Sequence, residues 1–290
     1  MTRQPVSLRE EMSMPDPQFP VKLHHTRFSG QGVTLFPPHW HRHFELLRFV
    51  TGEARIECNS KPCHVRAGDI VAINSNDLHH GVCLSEDLRY EVLIVDLELL
   101  QSRSLDAAQT KYLAPVAHNQ ILFRNHIAAD EALHETVTAL ARELQDRPYG
   151  YELSVKSLLY RLFAQLLRGY VATWLTESQS RQRLRNLERF APVFGHIEAH
   201  YADTISIETL AGLAGLSRYH FSRLFKELTG RTVSDYITRT RLLEADHLLR
   251  NSDLSITEIA LATGFGDLSY FSRAYKRYNH AAPSDIRRRS

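Results

Sequence analysis

The chain has 290 residues, of which 43% are hydrophobic and 23% are charged. This length and composition suit about two folded domains and exclude a disordered or fibrous protein. The net charge of +2 by itself indicates no particular partner. The charge is unevenly distributed, because residues 1–180 contain 18 basic and 21 acidic groups whereas residues 181–290 contain 17 and 12. The C-terminal third is therefore mildly basic.

Targeting and membrane signals are absent from the sequence. Residues 1–12 are polar and charged, and no stretch approaches the roughly 18–20 apolar residues that a membrane helix requires. We therefore expect a cytoplasmic protein. Cys58, Cys63 and Cys83 form no Cys-x-x-Cys pair, so we expect reduced structural thiols rather than disulfides or a thiolate metal site.

Residues 21–125 are predicted to form a β domain that follows a flexible, Pro-containing leader over residues 1–20. Short apolar runs alternate with turn residues, among them Gly52 and Gly68, at intervals of roughly ten residues. Such spacing is typical of a small barrel or jelly roll. The predicted strands are Glu45–Thr51, Ala54–Asn59, Cys63–Arg66, Ile70–Ile73 and Tyr90–Leu97.

Residues 126–176 show the periodicity of helices. The second of two predicted helices carries a stripe of large apolar residues, which we expect to mediate dimerisation. An alternative is that this stripe packs on its own β domain. The polar, Arg-rich segment 177–189 is predicted to be a linker. The candidate dimer-interface residues are Leu158, Leu162, Phe163, Leu166 and Leu167.

An internal repeat is the most specific signal in the C-terminal third. The first copy spans about 206–228 and the second about 255–278, and each predicts a helix, a Gly-containing turn and a second helix. The first copy contains Ile207-x2-Leu210-Ala211-x3-Gly215-Leu216 and then Phe221-Ser222-Arg223-x-Phe225-Lys226. The second contains Ile256-x2-Ile259-Ala260-x3-Gly264-Phe265 and then Phe271-Ser272-Arg273-x-Tyr275-Lys276.

The second helix of each copy is expected to bury its aromatic face and to expose a face with Ser, Arg and Lys. Such a helix fits the DNA major groove, where Arg can bind guanine and Lys can contact phosphate. A single copy would be explained better by an ordinary solvated face, but the repetition of the pattern after each Gly turn favours DNA. We therefore expect Lys226 and Lys276 to contact phosphates.

Residues 190–290 resemble the whole DNA-binding domain of the AraC/XylS family of transcription regulators. The resemblance rests on Glu258-Ile259-Ala260-x3-Gly264-Phe265, on Tyr270-Phe271-Ser272-Arg273 and on the ending Pro283-Ser284-x2-Arg287. It implies a seven-helix domain whose two helix-turn-helix units enter successive major grooves. It also implies base-reading roles for Tyr219, Ser222, Arg223, Leu268, Ser269, Ser272 and Arg273. Two departures, at Val233 and at Asn279-His280, affect local turn geometry.

Histidine is concentrated in the predicted β domain, with eight of 16 between His24 and His80. The pattern His39-x-His41-x3-Glu45-x6-Gly52, followed by Gly68-x5-Asn74-x-Asn76-x2-His79, resembles the two cupin motifs and the sensor domains of AraC regulators. In the second motif, Asn74 and Asn76 replace the usual Pro and Gly. The resemblance implies a double-sheet jelly roll.

Four residues of these motifs form a candidate site, namely His39, His41, Glu45 and His79. At a spacing of two, His39 and His41 lie on one strand face, and the barrel can bring Glu45 and His79 opposite them. This set could hold divalent Fe, Mn, Ni or Zn. Alternatively, it lines a metal-free pocket for an organic effector. We expect the second arrangement, with no cofactor required.

These patterns predict an α+β multidomain protein with an N-terminal cupin-like β jelly roll plus a helical segment and a C-terminal all-α domain with two helix-turn-helix units. The expected function is that of a transcription regulator, not an enzyme. Its expected partners are double-stranded promoter DNA, a small-molecule effector, with sugars among the candidates, a second copy of the chain and, for an activator, RNA polymerase. The alternatives are a cupin dioxygenase or sugar isomerase with an appended helix-turn-helix domain, and a nonspecific DNA-packaging protein, which the modest positive charge disfavours.

Overall fold

The computed structural model describes residues 9–102, 106–279 and 281–289. The chain divides into two compact units, one formed by residues 10–186 and the other containing residues 187–289. Within the residues that the structure describes, none of the helices combines the length and apolar character needed to cross a bilayer.

The first unit is built on two antiparallel β-sheets. The five-stranded sheet has the order β1 (Val21–Ser29), β8 (Asp87–Val95), β3 (Phe44–Thr51), β6 (Ile70–Ile73) and β10 (His126–Ile127). The four-stranded sheet has the order β2 (Thr34–His39), β7 (His79–Cys83), β4 (Glu53–Cys58) and β5 (Lys61–Arg66). A separate pair joins β9 (Ile121–Phe123) to β11 (Val171–Trp174). The predicted double-sheet β domain is confirmed.

Strand β3 is buried on both faces, and this determines where its one carboxylate points. Phe44 and Leu46 belong to the core beneath the helices, whereas Leu47 and Phe49 belong to the core between the two sheets. Because successive side chains of a strand alternate between faces, Glu45 shares the inner face with Leu47. A glutamate is thus directed into the interior of the β domain.

Two long helices, α2 (Glu131–Asp146) and α3 (Tyr151–Gly169), pack on the outer face of the five-stranded sheet. A 3-10 helix (Leu97–Leu100), a π-helical turn (Gln109–Leu113) and the short α1 (Ala114–Ala117) precede them. The chain's own sheet and α2 cover the stripe that we expected at a dimer interface. Leu162, Phe163 and Leu166 are fully buried in this core, and Leu158 and Leu167 pack against it.

The predicted dimer interface is therefore wrong. The reason is that the outward-facing side chains of the sheet, such as Leu46 and Leu93, are apolar and require a cover, and the stripe of α3 supplies it. Helical periodicity identified the buried face correctly but not its partner.

The leader also differs from the prediction. Residues 10–20 pack on the β domain instead of forming a flexible segment. Phe19 is buried, Met12 and Met14 contact the core between the sheets, and the backbone N–H of Glu10 donates to the carbonyl of Trp40 at 2.9 Å. Residues 1–8, also part of the predicted leader, lie outside the described residues.

The segment 177–189 is helical rather than a linker. It forms the first half of α4 (Glu177–His200), which contributes residues to both units. Arg, Gln, Glu and Leu dominate this stretch, and all four are strong helix formers. An Arg-rich polar composition without Gly is therefore compatible with a continuous helix.

The second unit is all helical. After α4 it contains α5 (Ile207–Leu213), α6 (Arg218–Thr229), α7 (Val233–Asn251), α8 (Ile256–Ala262), α9 (Leu268–Asn279) and α10 (Pro283–Arg289). With α4, seven helices occur among its described residues, as the family resemblance implied. The pairs α5–α6 and α8–α9 are the two predicted helix-turn-helix units. Ser206, Ser217 and Ser255 cap the N-termini of α5, α6 and α8 through their side chains.

Glycine is required at the turn of the second helix-turn-helix unit, between α8 and α9, for two reasons. Gly264 has φ of +83°, and a Cβ on it would lie 2.5 Å from the carbonyl oxygen of Ala202. Gly215 has φ of +61° at the equivalent turn of the first unit. Both turns use the left-handed conformation that glycine adopts without steric cost.

Aromatic side chains form the core beneath the second helix of each helix-turn-helix unit. Phe221 and Phe225 of α6 contact Phe190 and Phe194 of α4, with the Phe190 and Phe221 rings stacked at 5.5 Å between centroids. Phe271 and Tyr275 occupy the equivalent face of α9 and are fully buried. The duplicated sequence thus builds two similar supports for an exposed helix face.

Glu198 of α4 is a half-buried acid whose Oε2 atom is buried and whose titration should be measurable. Its Oε2 atom has no hydrogen-bond partner among the residues described, and burial raises its pKa to about 7. Because the folded pKa exceeds the unfolded reference of 4.5, the folded state binds more protons between these values, and stability falls as pH rises through that window.

We expect Glu198→Gln to increase the free energy of unfolding by on the order of 1 kcal/mol at pH 8, after allowance for partial exposure. The gain should be smaller at pH 5. Urea unfolding followed by far-ultraviolet circular dichroism measures it, because Trp40 and Trp174 both belong to the first unit and their fluorescence does not report on the second. The control is Glu188→Gln, exposed on the same helix. An equal gain at both pH values would contradict this account.

Candidate functional site

The second helix of each helix-turn-helix unit presents its predicted reading residues to solvent. On α6, Tyr219 is 82% exposed, Arg223 is exposed and Ser222 is half-buried. The base-reading candidates on α9 follow the same pattern: Leu268, Ser269 and Arg273 are exposed and Ser272 is half-buried. Each set therefore lies on the side of its helix opposite the aromatic core.

Basic side chains extend each reading face. Lys226 and Lys276 are exposed, as a phosphate-binding role requires. On α9, Arg273 and Lys276 line an open depression of about 350 Å³ together with Ser284 at the start of α10. Arg223 contacts Glu227 at 3.4 Å, but both side chains are more than half exposed, so this ion pair is weak and can yield to DNA.

The histidine motifs form a compact cluster in the first unit. The structure brings together the candidate ligand atoms of His39, His41, Glu45 and His79, all within 4.8 Å of one another. Strand pairing explains part of this, since His39 at the end of β2 lies opposite His79 at the start of β7. His41 follows in the segment between β2 and β3, so the expectation that His39 and His41 share one strand is wrong. His41, Glu45 and His79 are buried, and His39 is half-buried.

The backbone fixes the orientation of all three imidazoles. The Nδ1 atoms of His39, His41 and His79 lie 2.8, 3.1 and 2.8 Å from the carbonyl oxygens of Pro37, His43 and Asp77. Because a carbonyl only accepts hydrogen bonds, each Nδ1 carries the proton and donates it. Every Nε2 is then directed elsewhere, which is the arrangement found in metal-ligating histidines.

The Nε2 atoms face carboxylates. His41 Nε2 lies 2.7 Å and His79 Nε2 lies 3.6 Å from Glu45 Oε2, and His39 Nε2 lies 3.1 Å from Glu10 Oε2. Burial acts to raise the pKa of Glu45, but its interactions with His41 and His79 hold that pKa far below its usual range. Burial, with the neighbouring charge of His39, lowers the pKa of His79.

The cluster therefore requires positive charge. A neutral imidazole protonated at Nδ1 presents only a lone pair at Nε2, and this lone pair repels a carboxylate oxygen. Either a proton on Nε2 or a bound cation must therefore lie between each Nε2 atom and the carboxylate oxygen that it faces. His79 Nε2 is buried with no hydrogen-bond partner in the described part of the chain, so at least one ring atom remains available to a cation.

Sequence reasoning missed two acidic residues near this cluster. Glu10 lies in the leader, whose sequence has no helical or strand periodicity from which its packing could be predicted. Asp77 is 1% exposed and accepts hydrogen bonds from the side-chain amides of Asn59, Asn74 and Asn125. It also accepts from Nη2 of Arg183 on α4. Its position within the second cupin-like motif was the one available signal.

The Asn substitutions in this motif preserve its geometry. Asn76 adopts φ of +62°, a left-handed conformation that asparagine tolerates better than most residues. Asn74 donates to Asp77 and to the carbonyl of Phe123, and this anchors the loop. His79 consequently reaches the cluster although the usual Pro and Gly are missing.

Comparisons with known proteins cover both units. A model of the AraC-like ligand binding domain matches residues 25–163, and a helix-turn-helix domain model matches residues 210–289. The chain is 29% identical over 268 residues to the HTH-type transcriptional activator RhaS of Citrobacter koseri, covering 88% of each chain. It is 28% identical over 265 residues to RhaS of Escherichia coli O81, covering 87% of each. The solved structure of ToxT from Vibrio cholerae aligns with a TM-score of 0.45 at 16% identity, covering 91% of this chain and 97% of ToxT.

The paired helix-turn-helix units and the β domain with a ligand-binding match define a DNA-binding transcription regulator that senses a small molecule. The chain belongs to the AraC/XylS family. Its curated relatives are named as transcriptional activators, so the alternative of a cupin metalloenzyme is not supported. Promoter DNA and a small-molecule effector are the partners of such a regulator.

Proposed function

We propose that the regulator reads promoter DNA by placing α6 and α9 in adjacent major grooves. The observation that carries the proposal is that the repeated Ser-Arg-x-aromatic-Lys pattern exposes its Arg and Lys on both helices and buries its aromatic residue in the core beneath. Bases are read by Tyr219, Ser222, Arg223, Leu268, Ser269, Ser272 and Arg273. Lys226 and Lys276 contact phosphates, which position the protein without specifying sequence.

A second copy of the chain and RNA polymerase complete the proposed assembly. Residues 181–290 carry only 17 basic against 12 acidic groups, so electrostatic attraction alone gives limited affinity for DNA. Two chains on one promoter raise affinity through effective concentration. RNA polymerase is the proposed partner for activation, the role named for the curated relatives.

Selection of bound duplexes from a random DNA pool tests this reading. Each chain of the full-length protein should select two subsites whose centres lie about one helical turn, roughly 10–10.5 base pairs, apart, so two chains on one promoter select two such pairs. Arg223→Ala should relax the preference in one subsite and Arg273→Ala in the other. Selection of one short site that is unaffected by Arg273→Ala would contradict a reading role for α9.

We further propose that the histidine cluster binds a divalent first-row transition metal, a change from the metal-free pocket that we first expected. The ring centroids of His39, His41 and His79 lie only 4.2–5.7 Å apart, which leaves little room for an organic effector. Three imidazole nitrogens and the Glu45 carboxylate suit Mn, Fe, Ni or Zn. The ion would supply the positive charge that the facing Nε2 and carboxylate atoms need.

Addition of a divalent metal should stabilise protein from which a chelator has first removed any bound metal. A metal that binds only the folded state adds about 2.7 kcal/mol at a free concentration of 100 Kd, so Mn²⁺ or Zn²⁺ should raise Tm by several degrees. His41→Ala should abolish both this shift and stoichiometric metal in elemental analysis. The control is His64→Ala, because His64 is 61% exposed and bonds to Glu53 outside the cluster. An equal shift in His41→Ala would place the metal elsewhere.

A further inference from the structure

Glu10 of the leader contacts the histidine cluster at an atom that the proposed metal would use. Its Oε2 atom lies 3.1 Å from Nε2 of His39. Nδ1 of the same ring donates to the carbonyl oxygen of Pro37 at 2.8 Å, so Nε2 is the ring nitrogen of His39 that remains for an ion. A metal ion on His39 therefore binds at the atom that faces Glu10.

The backbone of the leader holds Glu10 beside the cluster. Its N–H donates to the carbonyl of Trp40 at 2.9 Å, and Trp40 lies between His39 and His41 in the sequence. Two residues further along, Met12 packs against the core between the sheets. The side chain of Glu10 is 47% exposed, so its carboxylate lies on the solvent side of the cluster and is free to rotate.

The separations between facing atoms resemble those of neighbouring ligands on one ion. Metal bonds of about 2.0–2.2 Å at angles of roughly 90–110° place neighbouring nitrogen and oxygen ligands roughly 2.8–3.6 Å apart. Glu45 Oε2 lies 2.7 and 3.6 Å from the Nε2 atoms of His41 and His79, close to these limits, and the 3.1 Å between Glu10 and His39 falls between them. Glu10 is not one of the four residues whose ligand atoms all lie within 4.8 Å of one another, so it reaches a shared ion by rotation of its exposed side chain.

The charge of the cluster favours a second carboxylate. A divalent cation bound by three neutral imidazoles and Glu45 leaves a net charge of +1 in a site that is largely buried. An uncompensated charge away from water is costly. Asp77, the other acid near the cluster, already pairs with Arg183. The carboxylate of Glu10 supplies the compensating negative charge.

We propose that Glu10 is a fifth ligand of the divalent metal, which makes the set three imidazoles and two carboxylates. The inference rests on the metal binding proposed above and adds a residue from outside the two cupin-like motifs. The second carboxylate favours Mn²⁺, because carboxylates are among the ligands that suit this ion. The metal then joins the leader to the β domain in addition to the packing of the leader itself.

Calorimetric titration of the chelator-treated full-length protein with Mn²⁺ and with Zn²⁺ tests the assignment. The variant is Glu10→Gln, and the matched control is Glu11→Gln, which removes the same charge from the exposed neighbouring position. Glu10→Gln should weaken binding of the tighter ion by about 10- to 100-fold, a loss at least as large as that of a group supporting a metal site, whereas Glu11→Gln should leave the affinity nearly unchanged. Without metal, both variants should have the Tm of the parent, because an ion pair with a half-exposed partner contributes little to stability.

Hydrogen exchange of the leader gives a second measurement that is independent of affinity. It is made by mass spectrometry at a saturating concentration of the same ion, so that the site is filled in every protein. The ion should slow exchange of the backbone amides of residues 10–14 in the parent and in Glu11→Gln, because a ligated leader opens less often. This slowing should be absent in Glu10→Gln.

Equal metal affinity in Glu10→Gln and Glu11→Gln would overturn the assignment. Tighter binding in Glu10→Gln would also overturn it, since Glu10 would then compete with the metal for His39. Slowed exchange of the leader that persists in Glu10→Gln would place the ion away from Glu10. His41→Ala separates this inference from the metal proposal: binding that requires His41 but is indifferent to Glu10 refutes only the role of Glu10, whereas a parent that binds neither ion refutes both.

Discussion

Replacement of both Arg223 and Arg273 by alanine is expected to weaken binding to the selected promoter site by about 2–6 kcal/mol. Each arginine that bonds bidentately to guanine contributes about 1–3 kcal/mol of discrimination, and contributions from separate helices should add. Both side chains are exposed, so the variants should fold as the parent does. Titration of a labelled duplex at fixed salt concentration, with a scrambled duplex beside it, measures the loss.

The matched control for the arginine variant is the double variant Lys226→Ala/Lys276→Ala. It should weaken the selected and the scrambled duplex alike and reduce the salt slope by about two, which is one unit for each phosphate contact. The arginine variant should instead leave the affinity for the scrambled duplex nearly unchanged. If both double variants weakened both duplexes equally, the arginines would be phosphate contacts and the proposed base reading would be wrong.

Phe163→Ala is expected to reduce the free energy of unfolding of the first unit by about 3–5 kcal/mol, the usual cost of deleting a buried phenylalanine. Its side chain is 1% exposed and its ring lies 5.1 Å from that of Phe44 and 6.2 Å from that of Phe123. Urea unfolding followed by tryptophan fluorescence suits this measurement, since both tryptophans belong to the first unit.

The surface residue Leu153 provides the comparison, because it lies on the same helix and is 77% exposed. Leu153→Ala should change the free energy of unfolding by less than about 0.5 kcal/mol. Sedimentation should show the same oligomeric state for Phe163→Ala and the parent. A Phe163→Ala chain of unchanged stability that lost an association of the parent would restore the dimer interface that the structure contradicts.

The strands that sequence predicted and those it missed differ in their composition. Ile70–Ile73 was identified because a continuous apolar run lies between the turns at Gly68 and Asn74. Strand β7 begins with His79 and His80 and contains Gly81, all poor strand signals. The structure explains the glycine, because a Cβ there would lie 2.9 Å from the Ile56 side chain. In β7, His79 belongs to the histidine cluster and Gly81 allows the close approach of Ile56. Residues chosen for these roles do not give the alternating apolar pattern that identifies a strand.

The candidate sites were predictable where their residues recur in a local motif. The duplicated Gly turn and basic helix predicted the exposed face that we propose reads DNA, and the histidine spacings predicted the cluster. The bond between Asp77 and Arg183 joins residues 106 positions apart, and the contact of Glu10 with His39 depends on how the leader packs. Neither contact has a local pattern, because both depend on how distant segments meet after folding.

A duplex with altered spacing tests most directly whether one chain reads two adjacent major grooves. Five base pairs inserted between the two selected subsites place them on opposite faces of the DNA, half a turn apart. The full-length protein should then bind with the affinity of a single subsite, and Arg273→Ala should have little additional effect on the altered duplex. Unchanged affinity for the altered duplex would contradict simultaneous reading by α6 and α9.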